Sequence, residues 1–267
     1  MRPLLSSLLL AASLAAAPLA AQSDDGTTFR WSGSVASGHA IRVHNLNGDI
    51  RVERGEPGSN VEVVAERRVR RGDAKVVRFD VRMRTDGDVV VCALWGSDMQ
   101  CTDDGSRGSY RSGNWARGNE IDVQMRVRVP DGVRTFARST NGNISAQDLT
   151  SDVDAATTNG DVNVRTAGGI VNATTTNGSI TASFGRLIGD APLRFTSTNG
   201  SVTVYAPPSL SGDLDMATVN GGLSSEFPLT ITGRLGRNAI KATIGQGGRP
   251  IIVRTTNGDV ALKRSGI

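Results

Sequence analysis

The chain has 267 residues, of which 38% are hydrophobic and only 4% aromatic, with 32 Gly and 9 Pro. Its 30 Lys+Arg against 26 Asp+Glu leave a formal charge of +4, which excludes both a strongly basic polyanion binder and an acidic disordered chain. Two His and two Cys, far apart in sequence, form a conventional four-ligand zinc site only if every one of them is used, so no metal and no cofactor is expected.

Met1, Arg2 and Pro3 precede an apolar run from Leu4 to Ala17, and Leu19-Ala20-Ala21 places small residues ahead of Gln22 and Ser23-Asp24-Asp25. This is the pattern of a secretory signal peptide over residues 1–21 with cleavage after Ala21. A transmembrane anchor needs about 20 uninterrupted apolar residues, and no later segment approaches that length. Eleven scattered Phe, Trp and Tyr residues hardly supply the aromatic girdles of a membrane barrel. The expectation is a chain exported to the periplasm, the medium or the cell surface, with no integral membrane segment after cleavage. Residues 22–34 read as a linker.

Residues 35–130 read as a preceding antiparallel β region carrying a disulfide hairpin and a loop insertion. In Arg78-Phe79-Asp80-Val81-Arg82-Met83-Arg84, and again over Val123, Met125, Val127 and Val129, apolar residues alternate with charged or polar ones, the period of strands with one buried face. His39 and His44 flank Ala40-Ile41-Arg42-Val43 on opposite faces and make no dyad. Eight basic residues between Arg67 and Arg84 face only Asp73 and Asp80, but without interleaved aromatics they read as a solvated sheet face and not as a nucleic-acid footprint. Cys92 and Cys101, the only cysteines, read as a local disulfide in an oxidising compartment. From Gly96 to Asn119 the chain is rich in Gly, Ser, Arg and Asp, so it reads as an exposed loop whose Tyr110, Arg111, Trp115 and Arg117 are the ligand-contact candidates.

The strongest signal is an Asn-Gly pair, usually preceded by Thr or Ser and followed two residues after the Gly by Ile, Val or Leu. Its seven copies are Asn47-Gly48, Asn141-Gly142, Asn159-Gly160, Asn177-Gly178, Asn199-Gly200, Asn220-Gly221 and Asn257-Gly258. After a first step of 94 residues the steps are 18, 18, 22, 21 and 37. The last is close to two ordinary steps, which suggests a degenerate copy around Ile244-Gly245-Gln246-Gly247. Asn and Gly tolerate tight reversals and the flanking Thr, Val and Ile favour extended backbone, so each unit is a turn plus strands. A meander and a solenoid both fit; identical turns at one period favour stacked coils, which places residues 131–267 in an Asn-Gly repeat solenoid.

Calcium-binding repeats require a regular carboxylate, yet the position after each Asn-Gly is Asp49, Asp161 or Asp259 in three copies and Asn143, Ser179, Ser201 or Gly222 in the rest. No nucleophile elbow, phosphate loop or metal-protease motif is present in the sequence, and Asp148, Asp152, Asp154 and Asp161 are the conceivable members of a carbohydrate-cleaving site.

Three stretches resemble the exported bacterial β-strand-repeat family known as putative adhesins, whose function is otherwise unknown. Gly38 to Val52 is similar to its opening strand and first Asn-Gly turn, Val127 to Val133 followed by Ser139 to Ile144 to its entry into the repeats, and Thr255 to Leu262 to its last rung. The resemblance spans roughly Phe29 to Lys263; the insertion from Cys92 to Asn119 departs from it. It implies an all-β, right-handed β-solenoid-like protein without established catalytic residues. The reading is an exported non-enzymatic protein that binds a cell-surface polymer or an envelope protein, and no nucleic acid. The alternatives are an envelope factor acting on protein partners by strand addition, and a carbohydrate-active enzyme.

Overall fold

The structure, a computed structural model, describes residues 20–108, 118–187, 189–231 and 236–265. Two long sheets face each other. Sheet A runs in the spatial order β1 (Ala21–Asp24), β2 (Thr28–Gly33), β5 (Val61–Arg71), β10 (Glu120–Val129), β4 (Ile50–Arg54), β12 (Ile144–Leu149), β14 (Val162–Gly168), β16 (Ile180–Arg186), β18 (Val202–Ala206), β24 (Val260–Arg264), β20 (Leu223–Ser225). Sheet B runs β21 (Thr230–Ile231), β22 (Ala239–Ile244), β19 (Gly212–Ala217), β23 (Pro250–Arg254), β17 (Leu193–Thr196), β15 (Val171–Asn177), β13 (Val153–Asn159), β11 (Arg134–Arg138), β3 (Ala40–His44), β7 (Val89–Trp95), β6 (Val77–Met83). A small hairpin, β8 (Gln100–Thr102) and β9 (Gly105–Arg107), stands apart.

Each Asn-Gly joins a strand of sheet B to the next strand of sheet A, so one repeat is one coil, and coils stack by parallel pairing. The all-β, solenoid-like class inferred from the period is therefore the observed one. The register is strict. Ile50, Ile144, Val162, Ile180, Val202 and Val260 form one inward column. Ile41, Thr135, Val153 and Val171 form one facing it from sheet B. These columns are almost fully buried, and alternation throws the intervening residues outward. Each buried Val or Ile contributes about 1.5–3 kcal/mol, and because neighbouring coils share every column, small β-branched residues suffice where aromatics are scarce. Phe184 and Phe195 form the one stacked ring pair among the described residues of the coils, at 6.2 Å.

Three sequence expectations are corrected here. Residues 22–34 are not a linker: β1 and β2 extend sheet A, with Phe29 fully buried and Trp31 nearly so, because the alternation in Thr28-Phe29-Arg30-Trp31-Ser32 is itself a strand pattern. The division at 130/131 does not interrupt either sheet, since β4 pairs in parallel with both β10 and β12, and the β3–β4 coil belongs to the same stack as the later ones. Nor do Ile244 to Gly247 form a degenerate rung. Ile244 ends β22, which pairs antiparallel with β19, Gly245 to Gly247 follow it, and the chain then returns to insert β23–β24 between the β17–β18 and β19–β20 coils. In space the Asn257 turn therefore lies between those of Asn199 and Asn220.

Candidate binding surfaces

The turn edge explains the repeated sequence chemically. Each Asn side chain after Asn47 donates from Nδ2 to Oδ1 of its neighbour, linking Asn47, Asn141, Asn159, Asn177, Asn199, Asn257 and Asn220 at 2.7–2.8 Å. Two residues before six of the seven Asn, a mostly buried hydroxyl donates to the Gly carbonyl of the adjacent coil: Thr157 to Gly142, Thr175 to Gly160, Ser197 to Gly178, Thr255 to Gly200 and Thr218 to Gly258, all at 2.8–2.9 Å, with Ser139 to Gly48 longer at 3.3 Å; before Asn47 the Asn45 amide donates to the Gly48 carbonyl instead. The residue after each Gly accepts the backbone N–H of the next coil. Asp49 accepts from Asn143, Asn143 from Asp161, Asp161 from Ser179 and Asp259 from Gly222. Any short acceptor serves there, which is why Asp, Asn and Ser interchange and why Gly222, on the outermost coil, needs none. A Cβ on Gly178 would lie 2.0 Å from the Gly160 carbonyl oxygen, so close backbone approach demands glycine.

On sheet B the Cys92–Cys101 disulfide, with Cα atoms 5.7 Å apart, fastens the β8–β9 hairpin over β7 and β3. Met99 and Cys101 are buried, so the expected exposed loop begins later than Gly96. Arg78 donates to the Met99 carbonyl, Arg82 to that of Cys101 at 2.7 Å and Arg84 to that of Asp103 at 2.6 Å. Gly105 packs on the His44 ring so closely that a Cβ would overlap it. Burial, then the charges of Arg138 and Arg42, push the His44 imidazole down to about 4. Tyr110, Arg111, Trp115 and Arg117 lie outside the described residues.

The basic stretch is largely the solvated face expected, with Arg68, Arg70, Arg71, Lys75, Arg78 and Arg82 exposed, but Arg67 and Arg84 are drawn out of solvent and several of its side chains hold neighbouring elements. The Arg67 guanidinium, 4% exposed, pairs with Asp24 at 2.6 Å, donates to the Val77 carbonyl and lies over Phe79. That contact holds the Asp24 carboxyl below its ordinary range. Arg71 meets Glu120 at 2.7 Å, and Arg78, Arg82 and Arg84 hold the hairpin.

A groove of about 390 Å³ crosses the outer face of sheet B over β11, β13, β15 and β17. Arg134, Asp152, Ile170 and Pro192 lie along one side, and Phe136, Asp154, Asn172 and Arg194 along the other. Asp152 Oδ1 accepts from the Ile170 N–H at 2.8 Å, and Asp154 pairs with Arg138 at 2.8 Å. Behind the groove Asp88, 3% exposed, accepts from the Ala40 N–H and Arg42 Nε and lies 3.8 Å from Arg134. The four conceivable catalytic carboxylates do not converge: Asp152 and Asp154 are on sheet B, whereas Asp148 pairs with Arg165 on sheet A and Asp161 caps a turn. Among the described residues no group of three or more His, Cys, Asp or Glu is placed to hold a metal ion. Arg134, Phe136, Asn172 and Arg194 were not singled out from the sequence, although the 22-residue step after Asn177 marks the coil that carries the extra chain.

The model of the Toastrack DUF4097 family matches residues 39–263, and the chain belongs to that family. No curated protein matches it. Among solved structures it is similar to a "putative cell adhesion protein" of Clostridium sporogenes, at 10% identity and a TM-score of 0.40 over 89% of this chain and 99% of that one. It is also similar to a "putative adhesin" of Bacteroides fragilis, at 12% identity and a TM-score of 0.36 over 89% and 97%.

Proposed function

We propose that this Toastrack chain is an exported, non-enzymatic scaffold that binds an extended polymer of the cell envelope or surface. The observation that carries the reading is the strict register: seven stacked coils hold their outward side chains in straight columns along one axis, at roughly 4.8 Å per coil, as recognition of a long repeating ligand needs. The Cys92–Cys101 disulfide suits an oxidising compartment, in keeping with a leader at residues 1–21. Tyr110, Arg111, Trp115 and Arg117, which lie outside the described residues, are proposed as a second contact.

The test is co-sedimentation of the mature, disulfide-bonded protein with isolated cell envelopes and extracellular polysaccharides, scored for saturation and salt dependence. The expected result is saturable binding that survives moderate salt and weakens when Tyr110 and Trp115 are replaced by Ala. Absence of saturable binding to every polysaccharide fraction overturns the reading, and retention by envelope protein alone moves the function to a protein partner. N-terminal sequencing of the exported chain is expected to begin at Gln22.

A further inference from the structure

The groove on sheet B is a built feature and not an accident of long side chains. The two preceding Asn-Gly steps are 18 residues each, but the step from Asn177 to Asn199 is 22, and the four extra residues fall between β16 and β17. There Ala191 and Pro192 line the groove, and Arg249, 6% exposed, donates to the Gly189 carbonyl and braces the segment from beneath.

The polar groups of the groove divide into committed and free. Asp154 is engaged by Arg138, one oxygen of Asp152 is taken by a backbone N–H, and Asn172 Oδ1 accepts the Arg194 N–H at 2.9 Å. Among the described residues the groups left without a partner are the second oxygen of Asp152 and two donors, the Asn172 amide nitrogen and the guanidinium of Arg194, which has no ion pair. Arg134 stands at the opposite corner, 3.8 Å from a carboxylate that Arg42 already holds at 2.9 Å. Arg134 on β11 and Arg194 on β17 are three strands apart, roughly 14 Å along the coil axis, and stand on opposite sides of the groove. Ile170, Pro192 and the part of Phe136 not covered by Arg42 give apolar footing between them.

We propose that this groove takes a carboxylated glycan, one bearing uronic acids at intervals, lying along the coil axis with carboxylates on Arg194 and Arg134. This rests on the polymer-binding reading above and narrows it to a site and a chemistry. A peptide strand is a poor occupant because the β11, β13, β15 and β17 backbones are paired on both sides and offer no edge for strand addition. Sugar rings need only side-chain donors, acceptors and apolar patches, and arginine forks fit carboxylates in two parallel bonds. A glycan with a sulfate or phosphate on every unit meets Asp152 and Asp154 with like charge, whereas spaced carboxylates meet only the arginines.

The experiment titrates a hyaluronan hexasaccharide, in which uronic acids alternate with neutral amino sugars, into the mature protein by calorimetry, beside its methyl-esterified form and a polysulfated oligosaccharide of equal length. Expected are saturable binding of the free acid, at least tenfold weaker binding of the ester, and a loss of tenfold or more in Arg194→Gln and in Asn172→Ala. Arg126→Gln, on the outer face of sheet A, leaves the affinity unchanged. Binding of the acid that is untouched by Arg194→Gln, or binding of the polysulfate as tight as that of the acid, overturns the assignment. Envelope co-sedimentation separates the two levels. Wild type and Arg194→Gln sedimenting equally removes the groove and leaves the scaffold reading, whereas failure of wild type to bind any polysaccharide removes both.

Discussion

Thr175 and Thr176 are adjacent, chemically identical and both part of the repeated turn sequence, yet the structure gives them opposite weights. Thr175 is 2% exposed and its Oγ1 donates to the Gly160 carbonyl at 2.9 Å; Thr176 is exposed and its hydroxyl has no protein partner among the described residues. Replacing Thr175 by Val keeps the shape, removes the donor and leaves the part-buried Gly160 oxygen against a methyl group. An unsatisfied buried acceptor costs about 1–3 kcal/mol, and the β-branched replacement adds no cavity to that figure. Thr176→Val removes only a solvated hydroxyl and is expected to stay within about 0.5 kcal/mol of wild type. Urea unfolding at pH 7 followed by far-ultraviolet circular dichroism measures both, with equal slopes required for the comparison. Equal midpoints for the two variants would refute the account of why Ser or Thr stands two residues before the Asn.

Other consequences follow from particular contacts. The folded His44 titrates near 4 whereas an unfolded His titrates near 6.5, so the unfolded chain takes up the proton first and stability falls as pH falls across that window, by about 3 kcal/mol in total. Urea midpoints between pH 7 and pH 4 should therefore show a steeper decline in wild type than in His44→Gln, and identical slopes would count against burial of a neutral ring. Opening the disulfide frees a loop of about ten residues, which is expected to cost about 2–3 kcal/mol and to raise hydrogen exchange at residues 99–107 while the coils stay protected. Asp24→Ala leaves the buried Arg67 without its carboxylate and is expected to destabilise by about 2 kcal/mol, low for a buried pair because Asp24 is itself 35% exposed. The Asp24 contribution is present above pH 4 and fades as pH drops through its lowered value, so wild type and variant should converge in acid. Residues 250–264, although near the C-terminus, pair on both sides in both sheets and should exchange as slowly as the central coils; fast exchange there would contradict the inserted order.

The period, the turns and the inward columns were legible because each repeats: one Asn-Gly is a turn, but seven with the same flanks are a stack. What lay beyond the pattern was whichever feature occurs once. The strand at Thr28-Phe29-Arg30-Trp31 passed as a linker because it sits beside the leader, and a single short alternation has no second copy to support it. The groove was invisible for a different reason. Arg134 and Arg194 are 60 positions apart, and only the parallel register sets their columns side by side, so that an irregular step of 22 residues was the sole trace they left in the sequence.

The longest step misled for a physical reason that also bears on function. A spacing of 37 equals nearly two coils, and a chain that always added its next coil outward would need a turn near Gly245. Instead β22 folds back antiparallel on β19, and the last coil enters between two coils already laid down. Parallel pairing depends only on the matching of columns, and Val202, Val260 and Leu223 match equally well in the inserted order. The insertion leaves the Asn220 coil outermost, the one whose post-Gly residue is Gly222 and presents no side-chain acceptor to a further coil. Sheet A there ends in the three-residue β20, too short to template another strand. The chain thus closes its own stack with its weakest rung outward and its best-matched rung inside. Growth of sheet A at this end is discouraged, while the lateral faces, where the groove lies, stay open to a partner.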